Sequence, residues 1–207
     1  MSNELDRRRQ RLVIDGLSID YFEAGDGHSV IVFSAKDADS SNSLLTKLAD
    51  SRRVICLNPS SSDFAAANQF AQKLPRAFAG MGIGRCSVIG ISAGARPALA
   101  LAIAAPELID RLILLSPLQL FEGTELLDLA GVKTATLVLV GTRDTSGAIE
   151  AGRLCRERIG SCHLSLVYGA GHAVADDRPE ACLDSVVQFL EQGEQFIIFR
   201  ESQVIRH

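Results

Sequence analysis

A serine between two glycines offers the clearest chemistry in this chain. Residues 86–94 read Cys-Ser-Val-Ile-Gly-Ile-Ser-Ala-Gly, so a short β-prone run leads directly into Gly90-x-Ser92-x-Gly94, and an alanine-rich stretch follows. A serine on a sharp strand-to-helix turn projects its hydroxyl from the sheet, while the helix start supplies N–H groups and a positive dipole end for a developing oxyanion. The pattern predicts that Ser92 is a nucleophile. The alternative is a serine that only fills a tight turn.

A nucleophilic serine needs a base to accept its proton and an acid to orient that base. The chain offers both in the order serine, acid, histidine, since Asp144 and His172 each follow an apolar run that ends in a turn. Taken singly, each has another interpretation. Asp144 could cap the helix predicted to start near Ala148, a role that Ser146 could also fill, and His172 could be a surface-loop histidine. Taken together and in this order, the three residues predict a catalytic triad.

Continuous apolar runs must position these residues. Such runs are typical of strands that are buried on both faces of a parallel sheet. Before them, Asp15-Gly16 separates two alternating segments, Arg11–Ile14 and Ser18–Phe22, which predicts an antiparallel hairpin near the N-terminus. The predicted parallel strands are Val30–Phe33, Val54–Leu57, Ser87–Ile89, Leu112–Leu115, Leu137–Val140 and Leu164–Val167.

Helical stretches alternate with these strands. They are rich in Ala, Leu, Glu, Arg or Gln and cover Ala65–Gly80, Ala93–Ala104, Ala148–Ile159 and Pro179–Gln192. The alternation predicts an α/β fold, a mostly parallel, doubly wound sheet of about eight strands with the antiparallel hairpin at the N-terminus and helices on both faces. Ligands bind beyond the carboxyl ends of the strands in such a sheet. The loops expected to surround the site follow Phe33, Asn58, Gly90, Ser116, Gly141 and Tyr168.

These motifs together resemble the α/β-hydrolase superfamily, as a small member with little or no cap domain. The resemblance extends from the opening hairpin to the closing helix, and it rests on Gly90–Gly94, Leu112–Pro117, Gly141–Asp144 and Gly169–His172. It implies that Ser92 is the nucleophile, that His172 is the general base and then the general acid, and that Asp144 orients His172. It also implies that the N–H of Ala93 is one donor of the oxyanion hole.

The loop after the third strand departs from the superfamily pattern. Members usually have a His-Gly pair there, whose loop supplies the second oxyanion N–H, whereas this chain reads Ser34-Ala35-Lys36. We expect the N–H of Ala35 or Lys36 to take that role, because the donor is a backbone group. The Lys36 side chain could also favour an acidic substrate or steady an oxyanion, or it could simply be solvated.

The segment after the sixth strand is too short for the helical cap domain that many superfamily members insert there. Residues 118–133 are therefore predicted to form a minimal lid, with Leu120 and Phe121 as candidate substrate-binding residues. An open cleft of this kind gives little steric selection of the acyl or alcohol portion of a substrate.

Composition bounds the class of protein. At 207 residues and 47% hydrophobic content, the chain suits a single domain over residues 1–207. A net charge of −4, without a basic stripe interleaved with aromatics, argues against nucleic acid as a partner. Five scattered cysteines without a C-x-x-C motif indicate a reducing compartment. Because neither a signal peptide nor a membrane-length apolar run is visible, we expect a cytoplasmic protein without a membrane partner.

The last residues, 194–207, form a β-prone extension. Gln195–Arg200 is rich in Phe and Ile, where a solvated terminus would be polar. An added edge strand within the monomer and a homodimer formed through this segment both explain that composition.

The sequence favours a serine hydrolase that acts on a carboxylic ester, or a similar small-molecule acyl compound, through an acyl-enzyme. This chemistry needs neither a metal nor an organic cofactor, and we expect none. Hydrolysis of amide, thioester or carbon–carbon bonds by the same triad is an alternative, because the fold does not fix the chemistry. Another is a non-catalytic ligand-binding protein that keeps the pocket but has lost the oxyanion geometry around Ser34–Asp37.

Overall fold

A nine-stranded sheet forms the centre of the molecule. The computed structural model describes residues 10–14, 16–34, 43–58, 66–118, 120, 127–199 and 204–205. The strands are β1 (Gln10–Ile14), β2 (Leu17–Ala24), β3 (Ser29–Ser34), β4 (Arg53–Asn58), β5 (Cys86–Ile91), β6 (Ile109–Leu115), β7 (Thr136–Gly141), β8 (Cys162–Val167) and β9 (Val204–Ile205).

The strand order across the sheet is β1-β2-β4-β3-β5-β6-β7-β8-β9, which places β5 in the middle. The hairpin β1–β2 is antiparallel, and β2 also pairs antiparallel with β4. All other neighbouring pairs are parallel. The predicted mostly parallel sheet with an antiparallel N-terminal hairpin is thus confirmed, and the two-residue β9 adds a further strand at the edge beside β8.

Helices cover both faces of the sheet. They are α1 (Ser43–Leu48), α2 (Ala67–Gly80), α3 (Ala95–Ala104), α4 (Ala148–Arg158), α5 (Val174–Asp177), α6 (Pro179–Gln192) and α7 (Glu194–Phe199). The predicted helices correspond to α2, α3, α4 and α6, whereas the short α1 and α5 were not predicted. Among the residues described here, no helix combines the length and the hydrophobicity needed to cross a lipid bilayer.

Two hydrophobic cores, one on each face, explain why the strands read as continuous apolar runs. In β3, Ile31 and Phe33 belong to the core under α2, α3 and α4, while Val30 and Val32 belong to the core under α1 and α6. Successive side chains of a strand point to opposite faces, so a strand covered on both faces needs apolar residues at every position. The same alternation continues along the central strands.

In the β-prone extension 194–207, the chain forms the helix α7 at its start rather than a strand, whereas Val204–Ile205 form the added edge strand β9 beside β8. Phe196 is buried in an edge-on contact with Phe189 of α6, with the ring centroids 5.6 Å apart, and in another with His163 of β8 at 5.3 Å. Burial of this aromatic ring in a helical turn overrides the weak local preference of Phe and Ile for strands. A homodimer through residues 194–207 stays a prediction.

Candidate active site

Ser92 occupies a strained position at the carboxyl end of the central strand. It begins a single turn of 3-10 helix that leads into α3, and its φ is +54°, in the left-handed region that non-glycine residues rarely adopt. The flanking glycines make room for this turn. A Cβ on Gly90 would lie 2.7 Å from the Cα of Ala95, and a Cβ on Gly94 would collide with the carbonyl group of Phe33. The Gly-x-Ser-x-Gly spacing therefore has a steric cause.

A chain of hydrogen bonds connects the three residues predicted to form a triad. The Oγ of Ser92 lies 2.9 Å from the Nε2 of His172, and the Nδ1 of His172 lies 2.9 Å from the Oδ2 of Asp144. They project from the turns that follow β5, β8 and β7, three strands whose carboxyl ends meet at the same edge of the sheet. The side chain of Asp144 is fully buried, whereas that of His172 is 39% exposed.

The Asp144 carboxylate is held in its charged form. Burial raises the pKa of Asp144, but hydrogen bonds from the hydroxyl and the N–H of Ser146, together with His172, outweigh that effect and bring the pKa below its ordinary value. Asp144 does not cap α4. The residue at the N-cap of that helix is Gly147, and no side chain caps the helix there.

Backbone contacts join the acid turn (residues 141–144) to the histidine turn (residues 168–172). The N–H of Arg143 donates to the carbonyl of Ala170 at 2.8 Å. A Cβ on Gly141 would collide with the carbonyl oxygens of Ala170 and of the residue after it. Close approach of the two backbones therefore requires glycine at this position. This approach sets the distance between the side chains of Asp144 and His172 in the hydrogen-bonded relay that runs from Ser92 through His172 to Asp144.

Two charged residues after the histidine turn hold its backbone. The N–H of Gly171 donates to the Oδ2 of Asp177 at 2.6 Å, and the Nη1 of Arg178 donates to the carbonyl of Tyr168 at 3.0 Å. Sequence reasoning missed both contacts, because nothing in the local pattern shows that the chain turns back on itself here.

A second strained serine lies at the end of β6, the strand between β5 and β7. Ser116 has a φ of +43°, and its N–H donates to the carbonyl of Leu139 at 2.8 Å. Its hydroxyl is buried and has no hydrogen-bond partner among the described residues. Sequence reasoning placed a loop of the site after this residue but did not anticipate the strain.

Of the N–H groups expected to form the oxyanion hole, the structure describes that of Ala93. Ala93 is the second residue of the turn that starts at Ser92, and the first N–H groups of a helical turn have no carbonyl partner within it. Its N–H is therefore free of intrahelical bonding near the Ser92 hydroxyl. Ala35 and Lys36, the expected sources of the second donor, lie outside the described residues.

One described residue of the predicted lid over residues 118–133, Leu120, is attached to the helix that follows Ser92. Leu120 is 2% exposed and belongs to the core under α2 and α3, and its carbonyl accepts a hydrogen bond of 3.2 Å from the Nη1 of the buried Arg96. Contact between Leu120 and a substrate stays a prediction. Phe121 lies outside the described residues.

Comparison with known proteins gives matches by structure alone. No protein-family model matches the sequence, and no curated protein sequence matches it. Among solved structures, a CIB-like hydrolase from Thermoplasma acidophilum has a TM-score of 0.71 at 18% identity, covering 91% of this chain and 99% of that one. The naproxen esterase of Bacillus subtilis has a TM-score of 0.76 at 12% identity, covering 90% and 92%. The CarC serine hydrolase involved in carbazole degradation has a TM-score of 0.75 at 17% identity, covering 89% and 98%. At such identities the likeness establishes a shared fold.

Proposed function

We propose that this chain, which has the fold of the α/β-hydrolases, is a serine hydrolase that cleaves carboxylic esters through an acyl-enzyme. One observation carries the proposal. The unbroken relay from the Ser92 hydroxyl through His172 to the buried Asp144 carboxylate has 2.9 Å at each of its two steps. These are the distances at which a base can accept a proton from a nucleophile while an acid orients the base.

In the first half of the reaction, the Oγ of Ser92 attacks the ester carbonyl carbon while the Nε2 of His172 accepts the hydroxyl proton. The carbonyl oxygen becomes an oxyanion, toward which the N–H of Ala93 supplies one hydrogen bond. Asp144 stabilises the imidazolium that forms. When the C–O bond to the alcohol breaks, His172 returns its proton to the leaving oxygen, and the acyl group stays on Ser92.

In the second half, water replaces the alcohol. His172 accepts a proton from water as the hydroxide attacks the acyl carbon, and a second tetrahedral oxyanion forms in the same place. Its collapse breaks the bond to Ser92, whose oxygen takes the proton back from His172. The carboxylic acid leaves, and the relay returns to its starting state with atoms and protons balanced.

An ester is a suitable substrate for this site because its leaving oxygen needs one proton. His172 can take that proton from the Ser92 hydroxyl and transfer it to the leaving group. Among the structural neighbours, the naproxen esterase is an esterase by name, which supports the same class for this chain. Amide, thioester and carbon–carbon bond hydrolysis use the same first step, so a panel of substrates that share one acyl group decides among them.

A fluorophosphonate probe tests the proposal directly. We expect wild-type protein to be labelled covalently, and Ser92→Ala to give no labelling, because the probe captures only an activated serine oxygen. Ser18→Ala, which removes an exposed hydroxyl from β2, is the matched control and should label like wild type. Equal labelling of wild type and Ser92→Ala, or no turnover of any member of the panel, would contradict the proposal.

A further inference from the structure

We infer that Ser146 is a positioning residue of the relay, whose hydroxyl holds both the Asp144 carboxylate and the Nδ1–H of His172. The inference rests on the proposed hydrolase function. Ser146 comes two residues after Asp144 and lies just before α4. Neither the Gly-x-Ser-x-Gly pattern nor the order serine, acid, histidine assigns it a place in the chemistry.

Ser146 makes contact with both partners at once. Its N–H donates to the Oδ1 of Asp144 at 2.8 Å, and its hydroxyl reaches the same oxygen. The Oγ also lies 3.1 Å from the Nδ1 of His172. The Oδ2 of Asp144 is left for His172, so the two carboxylate oxygens have separate partners.

For a neutral imidazole, the protons can be placed only one way if all of these contacts are hydrogen bonds. The carboxylate has no proton to give, so the Ser146 hydroxyl donates to Asp144. Its oxygen then has only lone pairs to offer His172, and Nδ1 must carry the proton that is shared between Asp144 and Ser146. The Nε2 of His172 is therefore unprotonated and able to accept the proton of Ser92, which is the tautomer that the first step needs.

The hydroxyl also stabilises a charge that has no access to water. The Asp144 side chain is fully buried, and a buried carboxylate without enough donors is costly. Ser146 itself is exposed, so it brings a donor from the surface to a buried acceptor. When His172 becomes an imidazolium during acylation, both acceptors of its Nδ1–H are already in place.

Three variants test the inference by the rate of fluorophosphonate labelling and by ester turnover. Ser146→Ala removes the hydroxyl and keeps the N–H, and we expect about a tenfold loss in labelling rate and in kcat, with KM little changed. Ser146→Thr keeps a hydroxyl and should recover most of the rate. Thr145→Ala removes the neighbouring exposed hydroxyl from the same turn and should behave like wild type.

A proton NMR spectrum of the free protein gives a reading that does not depend on turnover. The Nδ1–H of His172 should give a low-field signal, which Ser146→Ala shifts or broadens and which Thr145→Ala leaves in place. If Ser146→Ala matches wild type in rate and in this signal, the inference is overturned while the proposed function stands. If wild type and Ser92→Ala label equally, the proposed function fails, and the role of Ser146 in it fails as well.

Discussion

Backbone strain is concentrated at two serines at the edge of the sheet where the parallel strands have their carboxyl ends. Among the described residues other than glycine, a positive φ occurs at Ser92 and Ser116, which end the neighbouring strands β5 and β6. Each such conformation costs roughly 1–3 kcal/mol and persists only where the surrounding structure enforces it. For Ser92 the strain accompanies the projection of its hydroxyl toward His172. For Ser116 the hydroxyl is buried without a described partner.

Replacing Ser116 by Ala should therefore stabilise the protein. We expect the free energy of unfolding to rise by about 1 kcal/mol, because the buried hydroxyl loses its bonds to water on folding and gains none from the described residues in return. Urea unfolding measures the change. Ser185→Ala is the matched control, since the Ser185 hydroxyl is also buried but donates to the carbonyl of Ala181 at 2.8 Å, and its removal should lower stability. An equal loss in both variants would contradict the assignment of Ser116 as unpartnered.

At the level of elements, the strands were predictable and the last helix was not. Burial on both faces leaves a continuous apolar signature in each parallel strand, which can be recognised from local sequence. Residues 194–199 carry a similar local signature, but their conformation depends on the contact of Phe196 with Phe189 and His163, residues distant in sequence or on another element. The strand preference of residues 194–199, which depends on local sequence alone, carries no information about such a contact.

Some residues of the candidate site could likewise be predicted from the sequence, and others could not. Ser92, Asp144 and His172 could be proposed from sequence because each follows a strand, and parallel topology brings strand ends together. Ser146, Asp177 and the spacing set by Gly141 depend on the path of the turns between elements, which no periodicity encodes. From the sequence, Ser146 was predicted only as a possible helix cap, a role that the structure does not show.

Truncation of Phe196 tests how firmly α7 is attached to the sheet. We expect Phe196→Ala to lower the free energy of unfolding by about 3–5 kcal/mol, because it removes a ring that is 2% exposed. Urea denaturation monitored by circular dichroism gives the value. Gln195→Ala, at the exposed preceding position, should change stability by less than about 0.5 kcal/mol. A loss below about 1 kcal/mol for Phe196→Ala would mean that α7 contributes little to the core.

Across the whole molecule, the cysteines form a set of unreactive thiols. All five are free and buried. Burial raises the pKa of each one, to about 12 for Cys56, Cys86, Cys155 and Cys182, and also above the ordinary value for Cys162. They act as small apolar core residues, since the thiolate is the reactive form and the folded protein disfavours it.

The pH dependence of stability follows from these raised pKa values. Above about pH 9 the thiols of the unfolded chain lose their protons, whereas the folded protein keeps them until about pH 12. The unfolded state then binds fewer protons, so stability is fully present below about pH 9 and falls as pH rises through this window. Urea unfolding at about pH 8 and about pH 10 measures the loss, which Cys182→Ala should reduce.

Thiol labelling is an independent test of whether the five cysteine thiols are buried and protonated. We expect Ellman's reagent at about pH 8 to react slowly with the native protein. Once the chain is unfolded in urea, the reagent should react rapidly with all five thiols. Rapid labelling of the native protein at a rate similar to that of the unfolded chain would contradict the buried, protonated assignment.

The contact of the acid turn with the histidine turn bears on how relatives of this chain could lose the proposed activity. A single methyl group at Gly141 would press on the carbonyl of Ala170, a residue of the core under α1 and α6, and separate the turns. A homologue with alanine at this position would still display serine, aspartate and histidine in the right order. Such a chain would keep the sequence motif of the proposed hydrolase without its geometry, so the residue at this one position would separate active from inactive homologues.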